Sequence, residues 1–385
     1  MLCYLNGTNN FTSHSTLTFF FVFAEKLPRE HLKDVVNACL SVLRDEQRAS
    51  YDTLSNDWRD MDPVNICAFI NDAHRMREKN DEFCDKVLNL IPQQDHYEML
   101  TAQAEGVSQE FENVASHGVS FLSRCILEDL EEAVFNQLFN AEWESSYDSH
   151  PLSSMITATV NDYQEDISAW LSEQFFNEFC DSVLRTAVSH YLMSLRKQAT
   201  DTYQFRSEMS AANGILEDKK QLYSYFSTME GIDLDVVELE LEYVEALARI
   251  VSSTHISGAE DDVKALFKKY HGDGLKLVIA AEQCNPSRNK QETLEGIELA
   301  IKIYTLGHSN PKAHKGEKVV YSTECNDAYS NIDPIPFDIN SPITRLSSVI
   351  AGGANAQKEK PTARQRMTQG LTWGRKKSTT NFNQG

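Results

Sequence analysis

The sequence predicts an all-α fold, an elongated rod of stacked antiparallel helical bundles ending in a disordered C-terminal tail, and three observations carry that reading. Apolar residues recur three or four apart from Leu122 to Ile303, the spacing of one face of a helix. The 10 prolines and 16 glycines are few for 385 residues and collect at the two ends or between periodic stretches, whereas a sheet-rich fold would repeat turn signals every roughly 8–12 residues. Beyond Leu306 the pattern dissolves into Pro, Ser, Asn, Gly and Lys, a composition that cannot bury enough apolar surface to order itself.

Residues 1–26 match no periodic template. Pro28, placed for a first helical turn, opens a helix to about Ala49 carried by Leu32, Val35, Val36, Cys39, Leu40 and Leu43. Asp62-Pro63 repeats that start signal, the stretch to Leu90 reads as one or two helices with a break at Asn80-Asp81, and Ile91-Pro92 ends it. Residues 95–147 read as a long helix or a kinked pair, interrupted near His117-Gly118, with the seam Leu122, Ile126, Leu130, Val134, Leu138 and Ala141. His150-Pro151 separates that helix from one over Met155–Leu171, after which Ser172 is placed to cap the next.

In that next helix Phe175, Phe179, Val183, Ala187 and Tyr191 repeat at four-residue spacing beside Phe176, Cys180, Leu184, Val188, Leu192 and Leu195, giving one wide apolar face. Gly214 falls inside a helical stretch and Gly231 just past a helix end. Leu234, Val237, Leu241, Val244, Ala248 and Val251 then alternate steps of three and four, with Glu238, Glu242, Glu245 and Arg249 outside the seam, which is a bundle-packing stripe. Ser257-Gly-Ala-Glu260 matches a capping box for a helix to Tyr270. His271-Gly-Asp-Gly274 makes a turn, Leu275–Cys284 a short helix, and Asn285-Pro286 starts the last helix, which ends near Tyr304. The resulting organisation is an uncertain segment 1–26, a first bundle 27–150, a second bundle region 151–306 and a tail 307–385 that is basic from 358.

A chain that is 41% apolar can bury a substantial core, and at roughly 100–200 residues per domain this length fits two or three packing units. The net charge of −21 is unevenly spread, because seven basic side chains against Glu359 give residues 358–385 a charge of +6 and leave −27 on the rest. An acidic body repels nucleic acid and anionic lipid, so only the tail is a candidate for polyanions. Eight cysteines lie singly, without CxxC or short-range Cys/His pairing, and read as reduced core residues rather than zinc ligands. The apolar run from Leu17 to Ala24, about eight residues long, is too short to cross a bilayer and has no basic flank before it.

No set of residues converges on catalysis, cofactor binding or metal binding. Glu128, Asp129, Glu131 and Glu132 sit on a predicted solvent face, and paired carboxylates become acids and bases only when burial separates their pKa values. Asp233, Asp235 and Glu238 lack the later positions and central glycine of an EF-hand and read as helix N-terminal acids. His190 lies among core-facing neighbours and His271 in a turn, each a structural or surface histidine. The glycine-containing stretches form neither GxGxxG nor a phosphate loop.

The tail carries the candidate binding residues: Lys358, Lys360, Arg364, Arg366, Trp373, Arg375, Lys376 and Lys377, interleaved with Met367 and Leu371. At about 1 kcal/mol per basic residue near an anionic leaflet they would supply a weak, salt-sensitive contact. Phosphorylation at Ser378, Thr379 or Thr380 would switch it off.

The segment Met155-Ile-Thr-Ala-Thr-Val-Asn-Asp-Tyr163, followed by Val188-Ser-His-Tyr-Leu-Met-Ser-Leu-Arg-Lys197, resembles the C-terminal half of the exocyst complex component three family. The acidic Leu/Val-rich helix at 232–251, the stop at Lys268-Lys269-Tyr270 and a helix near 275–284 follow in the same order, so the resemblance covers roughly 120–305. It implies a rod of helical bundles in the complex that tethers secretory vesicles to the plasma membrane, with no catalytic residues, cofactor or nucleic acid. The implied partners are other exocyst subunits and SNARE proteins, the implied location the cytoplasm with peripheral recruitment to the plasma membrane at sites of secretion. The alternative reading is a generic all-helical adaptor that binds an acidic partner or anionic membrane through its basic tail.

Overall fold

The computed structural model describes residues 29–88, 94–146, 152–201 and 203–308, and among them every regular element is helical. All described residues belong to one compact unit. The N-terminal segment 1–26, the tail beyond His308 and the expected helix end at Ile91-Pro92 lie outside the described residues.

Ten helices are described: α1 (Arg29–Asp57), α2 (Pro63–Leu88), α3 (Gln94–Glu128), α4 (Ala141–Ser146), α5 (Ser153–Trp170), α6 (Glu173–Thr200), α7 (Glu208–Phe226), α8 (Leu234–Ser252), α9 (Glu260–Cys284) and α10 (Lys290–His308). Short 3₁₀ turns at Trp58–Asp60 and Ile256–Ala259 and a π-helical turn at Glu131–Phe135 join some of them. α3 packs on α1 and α2 and also on α5 and α6, α7 pairs with α8, and α9 meets α6, α8 and α10.

Directions follow from the cross-helix contacts. Arg77 pairs with Glu112 and Asn80 with Ala104 and Ser108, so α2 and α3 run antiparallel; Arg249 with Asp262 and Glu240 with Lys269 give α8 and α9 the same relation. Short connections dictate this. By contrast Glu112 accepts from Gln174, Ser116 donates to Glu178, and Gln198 donates to the Asn136 carbonyl, each across 62 residues of sequence. A constant offset means that α3 and its continuation run parallel to α6.

The core follows the predicted stripes with instructive exceptions. Phe175, Phe179, Val183, Ala187 and Tyr191 are fully buried, as are Val237, Leu241, Val244 and Val251. Leu234, at the first position of α8, stands exposed, and burial of the seam begins three residues later at Val237. Ala141 is likewise exposed: the seam stays buried through Leu138, past the π-helical turn, and the backbone then turns at Phe139 (φ 64°) before Ala141 begins a new helix.

Local signals were overruled where tertiary contacts supplied more. Asn80-Asp81 does not break α2; Asn80 is buried and its amide donates to the Ala104 carbonyl (3.1 Å) and Ser108 Oγ (2.8 Å), offsetting the weak helix propensity of Asn. Gly118 does not interrupt α3 but permits close approach, since a Cβ there would meet Ile70 Cγ1 at 2.6 Å. α1 runs on past Ala49 to Asp57 because Leu54 is still buried.

Ser172 occupies the cap position of α6 through its carbonyl, which accepts from Phe176 N, and its hydroxyl makes no capping bond. The Ser257 box does not form: residues 256–259 are a 3₁₀ turn and Ala259 precedes α9. The turn at 271–274 survives as a kink inside α9, with His271 at φ 48° and ψ −124°. The last helix starts at Lys290 rather than Pro286, because Asn289 Oδ1 accepts from the amides of Gln291 and Glu292.

Six described cysteines are free thiols, Cys39, Cys67, Cys84, Cys180 and Cys284 buried and Cys125 half-buried. Burial is the main cause that pushes each up to about 12.

Replacing Leu241 by Asp should cost about 3–5 kcal/mol, as a charge without a partner enters the seam, while Leu234→Asp should change stability by less than about 0.5 kcal/mol. Denaturant midpoints of the two variants against the parent check both, and equal midpoints for Leu241→Asp and parent would remove α8 from the core.

Candidate interaction surface

Polar side chains buried in the helical core are occupied in holding elements together. Asp218, wholly buried on α7, accepts from Trp143 Nε1 (2.9 Å), Ser153 Oγ (2.7 Å) and Tyr191 Oη (2.9 Å), which joins α4, α5 and α6 to α7. Burial pushes its carboxyl up, and the three donors pull it back down. Glu144 on α4 accepts from the amides of Arg206 (2.8 Å) and Ser207 (3.1 Å) and from Tyr203 Oη (2.6 Å), fixing the segment that enters α7.

Glu240, also wholly buried, is held by Lys269 at 2.5 Å and Arg185 at 3.6 Å. Glu282 and Arg288 form a buried ion pair, and Arg288 Nη2 donates to the Ser253 carbonyl at 3.0 Å. His190 packs against Phe135 with ring centroids 5.1 Å apart; burial and then the Arg124 charge push it down to about 4. None of these carboxylates was singled out by periodicity. The available signal was their position on an apolar face, since Asp218 stands between Ile215 and Leu222 at helical spacing.

The predicted solvent face holds, with Glu128, Asp129, Glu131 and Glu132 exposed. Asp233 caps α8 by accepting from Asp235 N at 3.0 Å. Among the described residues no helix is long and apolar enough to cross a membrane, and no group of acidic, His or Cys side chains is arranged to hold a metal ion. The basic residues Lys358, Lys360, Arg364, Arg366, Trp373, Arg375, Lys376 and Lys377 lie outside the described residues.

Several large apolar side chains stand exposed on the outward helix faces. On α7, Met209, Leu216 and Tyr223 stand exposed seven residues apart, with Asn213 and Lys220 interleaved, an arrangement that keeps one seam turned outward along the helix. On α8, Leu234 and Leu239 are exposed among acidic residues; on α5, Met155 and Trp170 are exposed.

Asp218→Ala should strand three buried donors and destabilise the fold by about 3 kcal/mol, against a smaller loss for Asp218→Asn, which keeps an acceptor; thermal or chemical unfolding distinguishes them. His190 yields a pH test. Its folded value near 4 lies below the ordinary 6.5, so the unfolded chain binds the extra proton and stability should fall as pH drops from about 6.5 to about 4, by up to about 3 kcal/mol. His190→Gln should flatten that part of the stability profile.

Residues 21–280 match the family of exocyst complex component Sec6, so the likeness begins well before the 120–305 span carried by the short motifs. In fold the chain is similar to the crystal structure of the C-terminal domain of the exocyst subunit Sec6p, with a TM-score of 0.66 and 15% identity over 80% of this chain and 82% of that one. The crystal structure of M-Sec gives a TM-score of 0.42 and 12% identity over 76% and 55%, too low to carry an argument. No curated protein matches in sequence. Identity of 15% establishes a shared fold alone, whereas the family match spans more than half of the sequence. This chain belongs to the exocyst complex component Sec6 family.

Proposed function

We propose that the chain is a non-catalytic subunit of the exocyst that acts in exocytosis by protein–protein contacts as secretory vesicles are tethered to the plasma membrane. The observation that carries the reading is the family match over residues 21–280. It is supported by the use of the buried Asp218, Glu144 and Glu240 as fastenings between helices. In this reading helices of 27–150 and 151–306 form two bundle regions whose outer faces meet other exocyst subunits and SNARE proteins. The chain works in the cytoplasm and is recruited peripherally to sites of secretion. The basic residues Lys358, Lys360, Arg364, Arg366, Arg375, Lys376 and Lys377, with Trp373, contact anionic lipid.

Affinity purification of the tagged chain from its own cells, followed by mass spectrometry, should recover several exocyst subunits; recovery of none would overturn the reading. For the tail, co-sedimentation with phosphatidylserine vesicles should fall when Arg364, Arg366 and Arg375 are replaced by Gln and when salt is raised. Binding indifferent to both would remove the membrane contact.

A further inference from the structure

Cys39 on α1 and Cys84 on α2 are buried in one apolar cluster, which Leu100 and Ala104 of α3 help to close. Cross-helix contacts set the height of each thiol along α3. Gln47 donates to the Glu110 carbonyl, Tyr51 meets His117, Leu54 lies against Gly118 and Trp58 stacks on Phe121, so α1 runs parallel to α3 at an offset of 63 to 66 residues. That offset sets Cys39 beside residues 102–105. α2 descends past the same turn. Arg77 pairs with Glu112 and Asn80 with Ala104 and Ser108, so Cys84, one turn further on, stands beside residues 100–104. Both thiols thus reach the level of Ala104, the smallest side chain of the cluster.

α1 and α2 touch, and the two thiols are close enough that the charge of Cys39 acts on Cys84. Helix axes about 8–10 Å apart, less a radius of about 2.3 Å on each side, bring facing Cα atoms to about 4–6 Å. A disulfide spans that separation without moving the backbone. By contrast Cys180 is turned to the Glu230 carbonyl (3.3 Å) and Cys125 to the Met61 carbonyl (3.9 Å).

We propose that Cys39 and Cys84 form a reversible disulfide that locks α1 to α2 when the chain meets a small disulfide oxidant, of which oxidised glutathione is the type. The thiolate of one cysteine attacks the oxidant's S–S bond, forming a mixed disulfide and releasing one glutathione thiolate. The other cysteine's thiolate attacks that mixed bond, closes the bridge and releases the second. Two protons and two electrons leave the protein and end on two molecules of reduced glutathione. Burial pushes both thiols up to about 12, so the first attack requires α1 to lift from the bundle, and the exchange is slow. Once made, the bridge holds that helix down. This inference stands apart from the tethering role.

The test uses the full chain with Cys3 and Cys325 replaced by Ser, incubated with oxidised glutathione, alkylated and digested with trypsin. Mass spectrometry should find the peptide 34–44 joined to the peptide 80–86, in yield several-fold above any other pair. The thermal midpoint should rise by about 5 °C and return on adding dithiothreitol. Urea below the unfolding transition should speed closure several-fold by opening α1. Cys39→Ala and Cys84→Ala should each keep the helical circular dichroism of the parent and lose both the link and the shift.

Glutathione adducts on Cys39 or Cys84 without the joined peptides would overturn the proposal, as would another pair joined in equal yield or a midpoint that the bridge leaves unmoved. The same pattern of links from chain oxidised in full denaturant would also overturn it, because the pairing would then owe nothing to the fold.

Discussion

One carboxylate, Asp218, sets the arrangement of the middle of the molecule. A buried charge is tolerated only when its oxygens are met by donors, and here an indole, a serine hydroxyl and a phenol, each on a different helix, meet them. Because each bond has its own direction, the three donors fix how α4, α5 and α6 sit against α7 far more narrowly than leucines and valines could. Hydrophobic burial favours contact in any register; this knot selects one. Glu144 on α4 does the same for the entry to α7 by taking two backbone amides and the Tyr203 hydroxyl.

The second constraint is the parallel run of α3 and α6. Helices joined by short connections fold back on one another, as α2 and α3 do, but a pair held at a constant 62-residue offset must be brought together by everything between them. The π-helical turn at Glu131–Phe135 lets the strand of contacts continue past the end of α3, with Asn136 still meeting Gln198. The kink at His271 serves a related purpose in α9: Lys269, just before it, reaches Glu240 on α8, and Asp273, just after it, accepts from Arg196 on α6 at 3.1 Å. One continuous segment thereby engages two neighbours.

Helical class and most of the core were legible because they depend on periodicity, a local property of the chain. The stripe from Phe175 to Tyr191 and the seam through Leu241 needed nothing but spacing. What escaped was decided by partners distant in sequence. Asn80 reads as a helix breaker until the Ala104 carbonyl and Ser108 appear beside it, and Gly118 reads as an interruption until Ile70 presses against it. The parallel pairing had no local signal at all. For function, sequence reading found the family through short motifs and found no catalytic set, while the exposed leucines of α8 were partly misread, Leu234 being assigned to the seam it lies outside.

The buried thiols have a practical consequence. Alkylating reagents attack the thiolate, and a cysteine raised to about 12 presents only about three thiolates in a hundred thousand at pH 7.5. The six described cysteines are therefore silent toward maleimides for as long as the helices stay closed. With Cys3 and Cys325 replaced, a single cysteine introduced at position 239 would carry a dye without competing background, and the outer surface of α8 could be watched by fluorescence in an otherwise unlabelled, folded chain.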